Sequence, residues 1–316
     1  MVAWAALLAL ALDSAIRWSQ SLYRRIGHPV GGFARIIAGL EQRWNNPSRS
    51  NRMRRMAGVA TLLILLGVAG GAGWVLQRLC TAFAGAWAWP LIGVLAWPGL
   101  AQRSLHDHVR PVADALERQD LPAARAAVGM IVGRDTAALD EAGVARAAIE
   151  SLAESFCDGV VAPLFWLLML GLPGIWAYKA INTADSMIGH REERWRAYGW
   201  AAARTDDAMN LIPARLSGFL ICLCGGGGWR ILWRDASRHA SPNAGWPEAA
   251  MAGALGLRLA GPIAYDGIIS DKLWIGEGDR PARTEDIRRG LGIYALACLC
   301  LWLLAAGIAG GVAWAL

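Results

Sequence analysis

Lysine is almost missing from this chain: only Lys179 and Lys272 accompany a basic complement that is otherwise arginine. Those arginines are dispersed, so the formal charge of +6 does not read as a nucleic-acid surface. Charge of either sign is scarce too, at 18% of 316 residues against 55% hydrophobic, with mean hydropathy +0.33. An ordinary soluble domain carries about a quarter charged residues. The chain therefore reads as an integral membrane protein with sizeable polar segments, whose positive excess belongs to cytoplasmic loops. No G-x-x-x-x-G-K-[ST] and no clean G-x-G-x-x-G occurs, which excludes the Walker and dinucleotide fingerprints. Cys80, Cys157, Cys222, Cys224, Cys298 and Cys300 lack histidines at metal-site spacing and lie mostly inside apolar runs. They read as small apolar residues, not as a disulfide or zinc framework.

What is present alternates apolar runs with polar segments. Residues 1–16 are apolar but short for a span, which needs about 20 residues. No positive charge precedes them, so they make a poor signal peptide. Arg17, Arg24 and Arg25 follow, favouring an outside N-terminus, with Trp18 at the interface. Residues 17–55 form a basic cytoplasmic loop. Within it, Ile36, Ile37, Leu40 and Trp44 recur at helical spacing, which predicts an amphipathic helix lying on the membrane. Runs 56–76 and 79–100 read as a transmembrane hairpin with a minimal turn, and Gly67, Gly70, Gly71 and Gly73 offer a close-packing face. Residues 101–158 form a helical insert, with Asp140 as the N-cap of the helix carrying Glu150 and Glu154. Residues 159–227 hold two re-entrant or inserted hairpins, the first broken at Gly171-Leu172-Pro173-Gly174. A polar segment, 229–290, precedes a last span at 291–316. The expected fold is one all-α, multi-pass membrane domain over 1–316, with about four full spans plus the hairpins.

Ionisable groups at membrane depth are costly, so they mark functional sites by default. They concentrate between Val144 and Arg215. Glu150, Glu154 and Asp158 fall at i, i+4, i+8, one face of a helix. Either they form a solvated acidic face relieved by Arg146, or they hold a metal or a cationic ligand. Lys179, Asn182 and Asp185 follow an apolar run; Arg204, Asp206, Asp207, Asn210 and Arg215 border the next. Further on, Asp235 and His239 lie four apart before Ser241-Pro242-Asn243, a metal fragment or simply a capped turn. His28-Pro29 reads as a turn. Carboxylates with retained waters suit Mg²⁺ carrying phosphates, and Lys179, Arg204 and Arg215 could clamp phosphate oxygens. The residues alone give a phosphate-handling membrane enzyme, without separating ATP-driven ligation from diphosphate transfer.

The segments GHPVGGFARII, MIVGRDTAALDEAGVARAAIESLAESFCDGVVAPLFW, YKAINTADSMIGHREERWRAYGWAAARTDDAMNLIPARLSG and RDASRHASPNAGWPEAAMAGALGLRLAGP closely resemble the CobD/CbiB family of cobalamin biosynthesis. They do so in order, from residue 28 to about 290. The resemblance implies a multi-pass enzyme of the inner membrane, with its site facing the cytoplasm. That enzyme, adenosylcobinamide-phosphate synthase, amidates adenosylcobyric acid with (R)-1-aminopropan-2-ol phosphate, or with the free amino alcohol, driven by ATP. Carried over residue by residue, the family's polar blocks match Glu150, Glu154, Asp158 and Gly159; Tyr178, Lys179, Asn182, Thr183, Asp185 and Ser186; Asp206, Asp207, Asn210, Pro213 and Arg215; and Ser241, Asn243 and Gly245, with His239 upstream. Ser155 stands where Asn is usual, and SAIRWSQSLYRRIGHP replaces a G-D-P stretch before His28.

On that resemblance, Glu150, Glu154, Asp158 and Asp207 are expected to hold Mg²⁺, and Lys179, Arg204 and Arg215 to neutralise phosphate. Asp185 or His239 would take the amine's proton, with Glu154 and Asp207 also in the catalytic set. His28, Asn182, Asn210, Ser241 and Asn243 complete substrate binding. The expected partners are adenosylcobyric acid, aminopropanol phosphate and membrane lipid, with no nucleic acid. Self-association and assembly with other enzymes of the pathway stay open. A non-catalytic signalling relative and a phospho-alcohol transferase are the competing readings; the latter lacks its D-x-x-x-D pattern, and a transporter lacks an internal repeat.

Overall fold

A computed structural model describes residues 1–16, 23–25, 27–265, 268–270 and 273–315. Arg17 and Trp18 lie outside the described residues. The chain is helical almost throughout. The helices are α1 (Val2–Ala15), α2 (Pro29–Trp44), α3 (Asn51–Ala84), α4 (Trp89–Ala96), α5 (Gln102–Glu117), α6 (Leu121–Gly129), α7 (Glu141–Phe156), α8 (Ala162–Leu170), α9 (Leu172–Ile188), α10 (Glu193–Arg196), α11 (Trp200–Met209), α12 (Leu211–Cys224), α13 (Trp229–Asp235), α14 (Gly245–Leu255) and α15 (Thr284–Ala315). Among the described residues, three helical stretches are long and apolar enough to cross a membrane: Asn51–Glu117, Glu141–Leu170 and Thr284–Gly311. The pair α11 and α12 adds a fourth if taken as one broken span.

Three or four candidate spans are consistent with the expected about four, but their positions differ from those expected. Helix α1 has 14 residues. At 1.5 Å each it reaches about 21 Å, short of a hydrocarbon core of about 30 Å. The turn expected at Gln77-Arg78 is absent, and α3 runs through to Ala84. Neither residue breaks a helix, and Gln77 Oε1 accepts the Leu172 N–H at 2.8 Å. The chain turns at Gly85 instead, with φ +53°. Nor is 159–178 the start of a separate hairpin from a cytoplasmic insert. Helix α7 continues through a π-helical turn, Cys157–Val161, into α8. The break at Gly171 is present, with φ +70°, a backbone shape glycine tolerates.

Two compact units emerge, each assembled from separate parts of the chain. The first comprises residues 1–101, 162–209 and 302–316. Its centre is the seam between α3 and α9, closed by small residues. A Cβ on Gly73 would lie 2.7 Å from the Leu172 carbonyl oxygen, and one on Gly58 only 1.8 Å from that of Tyr198. Of the glycine face expected on α3, Gly73 and Gly70 make the approach, whereas Gly67 and Gly71 meet nothing. Helix α2 does not lie with its apolar face on lipid. Ile37 is fully buried and Phe33 packs edge-on against Trp176 of α9, ring centroids 6.1 Å apart. At its end, buried Glu41, Asn45 and Arg54 join exposed Arg194 in a polar knot: Arg54 Nε donates to Asn45 Oδ1 at 2.9 Å and Arg194 Nη2 to Glu41 Oε2 at 3.1 Å.

The second unit comprises residues 102–161 and 210–301. It contains α5, α6, α7, α12, α13, α14 and most of α15, together with strands the composition did not announce. Strand β1 (Arg258–Ala260) pairs antiparallel with β4 (Trp274–Gly276), and β2 (Ile263–Tyr265) with β3 (Ile268–Ser270). Three-residue strands leave too little alternation to detect. Their placement matters, because β1 and β4 deliver two backbone N–H groups to buried carboxylates. Among the described residues all six cysteines are free thiols, as their apolar settings suggested.

The seam predicts opposite signs for two glycines of α3. Gly58→Val should lower stability in detergent by about 1–3 kcal/mol, through overpacking against Tyr198. Gly67→Ala should raise it by about 0.5–1 kcal/mol, as for any open helix glycine. Unfolding midpoints of the two variants check the pair.

Candidate functional site

Glu150 is 5% exposed and wholly engaged. Arg134 Nη2 bonds its Oε2, the Ala260 N–H of β1 donates to its Oε1 at 2.7 Å, and Arg146 Nε stands 3.7 Å from that same oxygen. Arg146 also lies over the Trp274 ring at 5.0 Å. Two guanidiniums and one amide thus neutralise this carboxylate, which acts as an anchor and not as an open metal ligand. Glu154, one turn on, is exposed, and Asp158 is half-buried in the π turn, so the three carboxylates do not share one environment. Among the described residues no three His, Cys, Asp or Glu side chains are arranged to hold a metal. The expected set of Glu150, Glu154, Asp158 and Asp207 is therefore not preassembled.

A cavity of about 210 Å³ adjoins Glu150. Arg134, Ser151, Glu154, His239 and Glu248 contribute to its wall. His239 Nδ1 accepts the Ser241 N–H at 3.0 Å, which places the imidazole proton on Nε2. Nε2 faces Glu248 Oε1 at 3.7 Å. Proton acceptance, the role expected of His239, thus conflicts with its backbone bond; as placed, the ring is a donor. Sequence reading passed over Glu248, which is buried in the first turn of α14. An acidic residue there resembles ordinary dipole compensation, and only the fold turns it toward a cavity.

The Ser241-Pro242-Asn243 turn is a capped turn: Ser241 Oγ accepts the N–H groups of Asn243 and Ala244, both at 3.2 Å. Arg215 Nη1 donates to Asn243 Oδ1 at 2.9 Å, and its guanidinium lies 4.6 Å above the Trp246 ring. Asn210 is buried, with Oδ1 3.8 Å from Cys157 Sγ. Asp235 makes no metal fragment with His239. It is fully buried, paired with Arg234 and Arg238, and accepts the Gly276 N–H at 2.8 Å.

The first unit holds the remaining residues. His28 caps α2, its Nδ1 accepting the Val30 N–H at 3.2 Å. Burial and the nearby Lys179 charge keep its imidazole below the usual histidine range. On α9, one turn of helix separates Lys179 from Asn182 and Thr183, and Asn182 Nδ2 donates to buried Asp206 Oδ1 at 3.4 Å. Asp207 pairs with Arg204 at 3.6 Å. Asp185 folds back on the chain, so that a Cβ at Gly189 would lie 1.9 Å from its Oδ1. Within this unit a lysine, an arginine and three aspartates thus occupy α9 and α11.

A family model for CobD/CbiB proteins matches residues 6–294. The chain belongs to the CobD/CbiB family. Similar proteins include one named cobalamin biosynthesis protein CobD from Rhodobacter capsulatus, 51% identical over 92% of both chains. Another of that name, from a Sinorhizobium species, is 46% identical over 92% of this chain and 93% of its own. A third, from Brucella suis, is 45% identical over 91% and 90%. No solved structure matches. The family's polar blocks are thus divided: the lysine block and Asp206-Asp207 lie in the first unit, and the glutamate and serine-proline-asparagine blocks, with Asn210, Pro213 and Arg215, lie in the second.

Asp235 yields a pH test. Burial alone would raise its carboxyl, but the hydrogen bonds from Arg234 and Gly276 and the charges of Arg234 and Arg238 outweigh this and hold it below the usual range. The unfolded chain therefore binds the proton first. The stabilisation is complete above the usual carboxylate value and is lost as pH falls through it toward the folded one. Unfolding midpoints measured between about pH 7 and 3 should fall less steeply in Asp235→Asn than in the parent, from a lower start at pH 7.

Proposed function

We propose that this chain is the membrane ligase that joins adenosylcobyric acid to (R)-1-aminopropan-2-ol or its phosphate in cobalamin synthesis, at the expense of ATP. The observation that carries the reading is the family match across residues 6–294, with relatives named for cobalamin biosynthesis at about half identity. The polar side chains support it by their chemistry. A carboxylate acylates poorly because its leaving group would be oxide. Transfer of the ATP γ-phosphoryl to the substrate carboxylate gives an acyl phosphate and ADP. The amine then attacks the acyl carbon, phosphate departs, and a proton leaves the nitrogen.

Such chemistry asks mainly for positioning and charge neutralisation. Lys179 and Arg204 of the first unit and Arg215 of the second are the cations suited to phosphate oxygens. Mg²⁺ usually binds through one or two carboxylates plus substrate phosphates. The absence of a three-carboxylate cluster among the described residues thus fits an ion delivered with phosphates better than a resident cage. Glu154 with Asp158, or else Asp207, has the oxygens to hold it, where it would neutralise phosphate charge; Glu150, held by its arginines, is left out. Asp185 keeps its candidacy as proton acceptor and His239 does not. The setting we propose is the inner membrane, with these groups opening to the cytoplasm.

Detergent-purified protein should convert adenosylcobyric acid, given Mg-ATP and the amino alcohol or its phosphate, to a product heavier by the amine minus water, with stoichiometric phosphate release. Glu154→Ala and Asp207→Ala should each lower the rate by more than about a hundredfold while still inserting in the membrane. Full activity in both variants would contradict the assignment, and no product with any amine would remove the ligase reading.

A further inference from the structure

Of the three arginines at the start of α3, Arg52 and Arg55 are exposed, whereas Arg54 is only 4% exposed. An arginine-rich membrane edge accounts for the first two but not for the third. A guanidinium buried in the first turn of a helix meets the positive end of the dipole and loses its water. It persists only where acceptors surround it. Those acceptors come from Asn45 and from the connector between α9 and α11, which contains α10. Arg54 Nη2 donates to the Glu193 carbonyl at 3.2 Å and to the Arg194 carbonyl, which also accepts from Asn45 Nδ2 at 3.0 Å. One turn further along α3, the missing side chain of Gly58 makes room for the Tyr198 carbonyl. A turn beyond that, the hydroxyls of Thr61 and Tyr198 meet at 2.6 Å. Residues 54, 58 and 61 share one face of the helix. The connector is therefore fixed by its carbonyls and one buried tyrosine, while Arg191, Glu193, Arg194 and Arg196 stay exposed.

What the connector joins gives this attachment its consequence. The connector leaves α9 at Gly189, against the Asp185 carboxylate, and returns at Gly199, where a Cβ would strike the Ile188 carbonyl. Between these points it carries Arg191, whose charge reaches Asp207 of α11. We propose that the Arg54–Gly58–Thr61 face of α3 clamps residues 189–199 in register, and that Arg54 is a positioning residue acting through Arg191 on Asp207. The clamp stands apart from any reaction; its effect on turnover rests on the ligase reading. Without the Arg54 guanidinium, the Glu193 and Arg194 carbonyls lose a donor, the connector lifts from α3, and Arg191 leaves Asp207.

The test combines trypsin digestion and kinetics on the full chain in detergent. Trypsin needs the scissile carbonyl free, so Arg194, exposed in its side chain but bound through its carbonyl, reports the clamp. Cleavage there should be at least about tenfold faster in Arg54→Gln than in the parent, with cleavage after Arg118 of the second unit unchanged. Arg191→Gln and Arg54→Gln should each lower kcat by at least about tenfold, with the KM for adenosylcobyric acid unmoved. Adding Arg191→Gln to Arg54→Gln should then change kcat by less than about twofold, because the cation has already left. Multiplied losses in the double variant would overturn the positioning role, and parental cleavage at Arg194 would overturn the clamp. Should Arg54→Gln not fold, Thr61→Val, which removes one hydroxyl, should still speed cleavage at Arg194 by about threefold; no change there would overturn the clamp equally. Faster cleavage in a protein that ligates nothing would keep the clamp and remove the ligase. Ligation with a kcat indifferent to both arginines would keep the ligase and remove the positioning role.

Discussion

A carboxylate buried among apolar helices must be neutralised where it lies, and Glu150 shows how far the second unit is built around that requirement. Its two oxygens gather Arg134 from the loop after α6, Arg146 from its own helix and an N–H from β1. Losing one member of such a group costs about 3–5 kcal/mol, because the partner charge stays behind unpaired. The cluster thereby fixes the strand β1, the loop at 131–134 and one wall of the cavity together. Asp235 repeats the device nearby, joining Arg234 and Arg238 to the Gly276 N–H of β4. Short strands that could not persist alone are held at both edges by buried acids.

The first unit depends on a different constraint, the close approach of helices without side chains between them. Gly58 and Gly73 let α3 touch backbone directly, as membrane helices do where dispersion replaces the hydrophobic effect. Thr61 of α3 and Tyr198, just before α11, add a hydroxyl pair at 2.6 Å. The polar groups of α9 and α11 rest on this frame.

Much of this was legible in the residues. Apolar runs, the Asp140 and Gly171 signals and the identity of the polar blocks all stand in the structure. What misled was local ambiguity with a physical cause. Gln77-Arg78 looks like a loop in hydropathy but is good helix, and Gln77 finds a backbone partner on α9. Glu150, Glu154 and Asp158 look equivalent at four-residue spacing. Only tertiary contacts make the first a buried anchor and leave the second exposed. Glu248 gave no sign beyond a first-turn acid, and β1 and β4 are too short for a pattern. The units draw on segments far apart in sequence, an arrangement that no linear reading of segments conveys.

The claim that the Glu150–Arg134 pair organises the second unit is open to a double-mutant cycle. Unfolding free energies would be measured for the parent, Glu150→Gln, Arg134→Gln and the double variant, in one detergent and buffer. The account predicts that each single change is strongly destabilising, and that the double variant recovers at least about 1–3 kcal/mol of their sum. Additive effects, or single changes within about 0.5 kcal/mol of the parent, would contradict it: the buried carboxylate would then be a bystander to the fold.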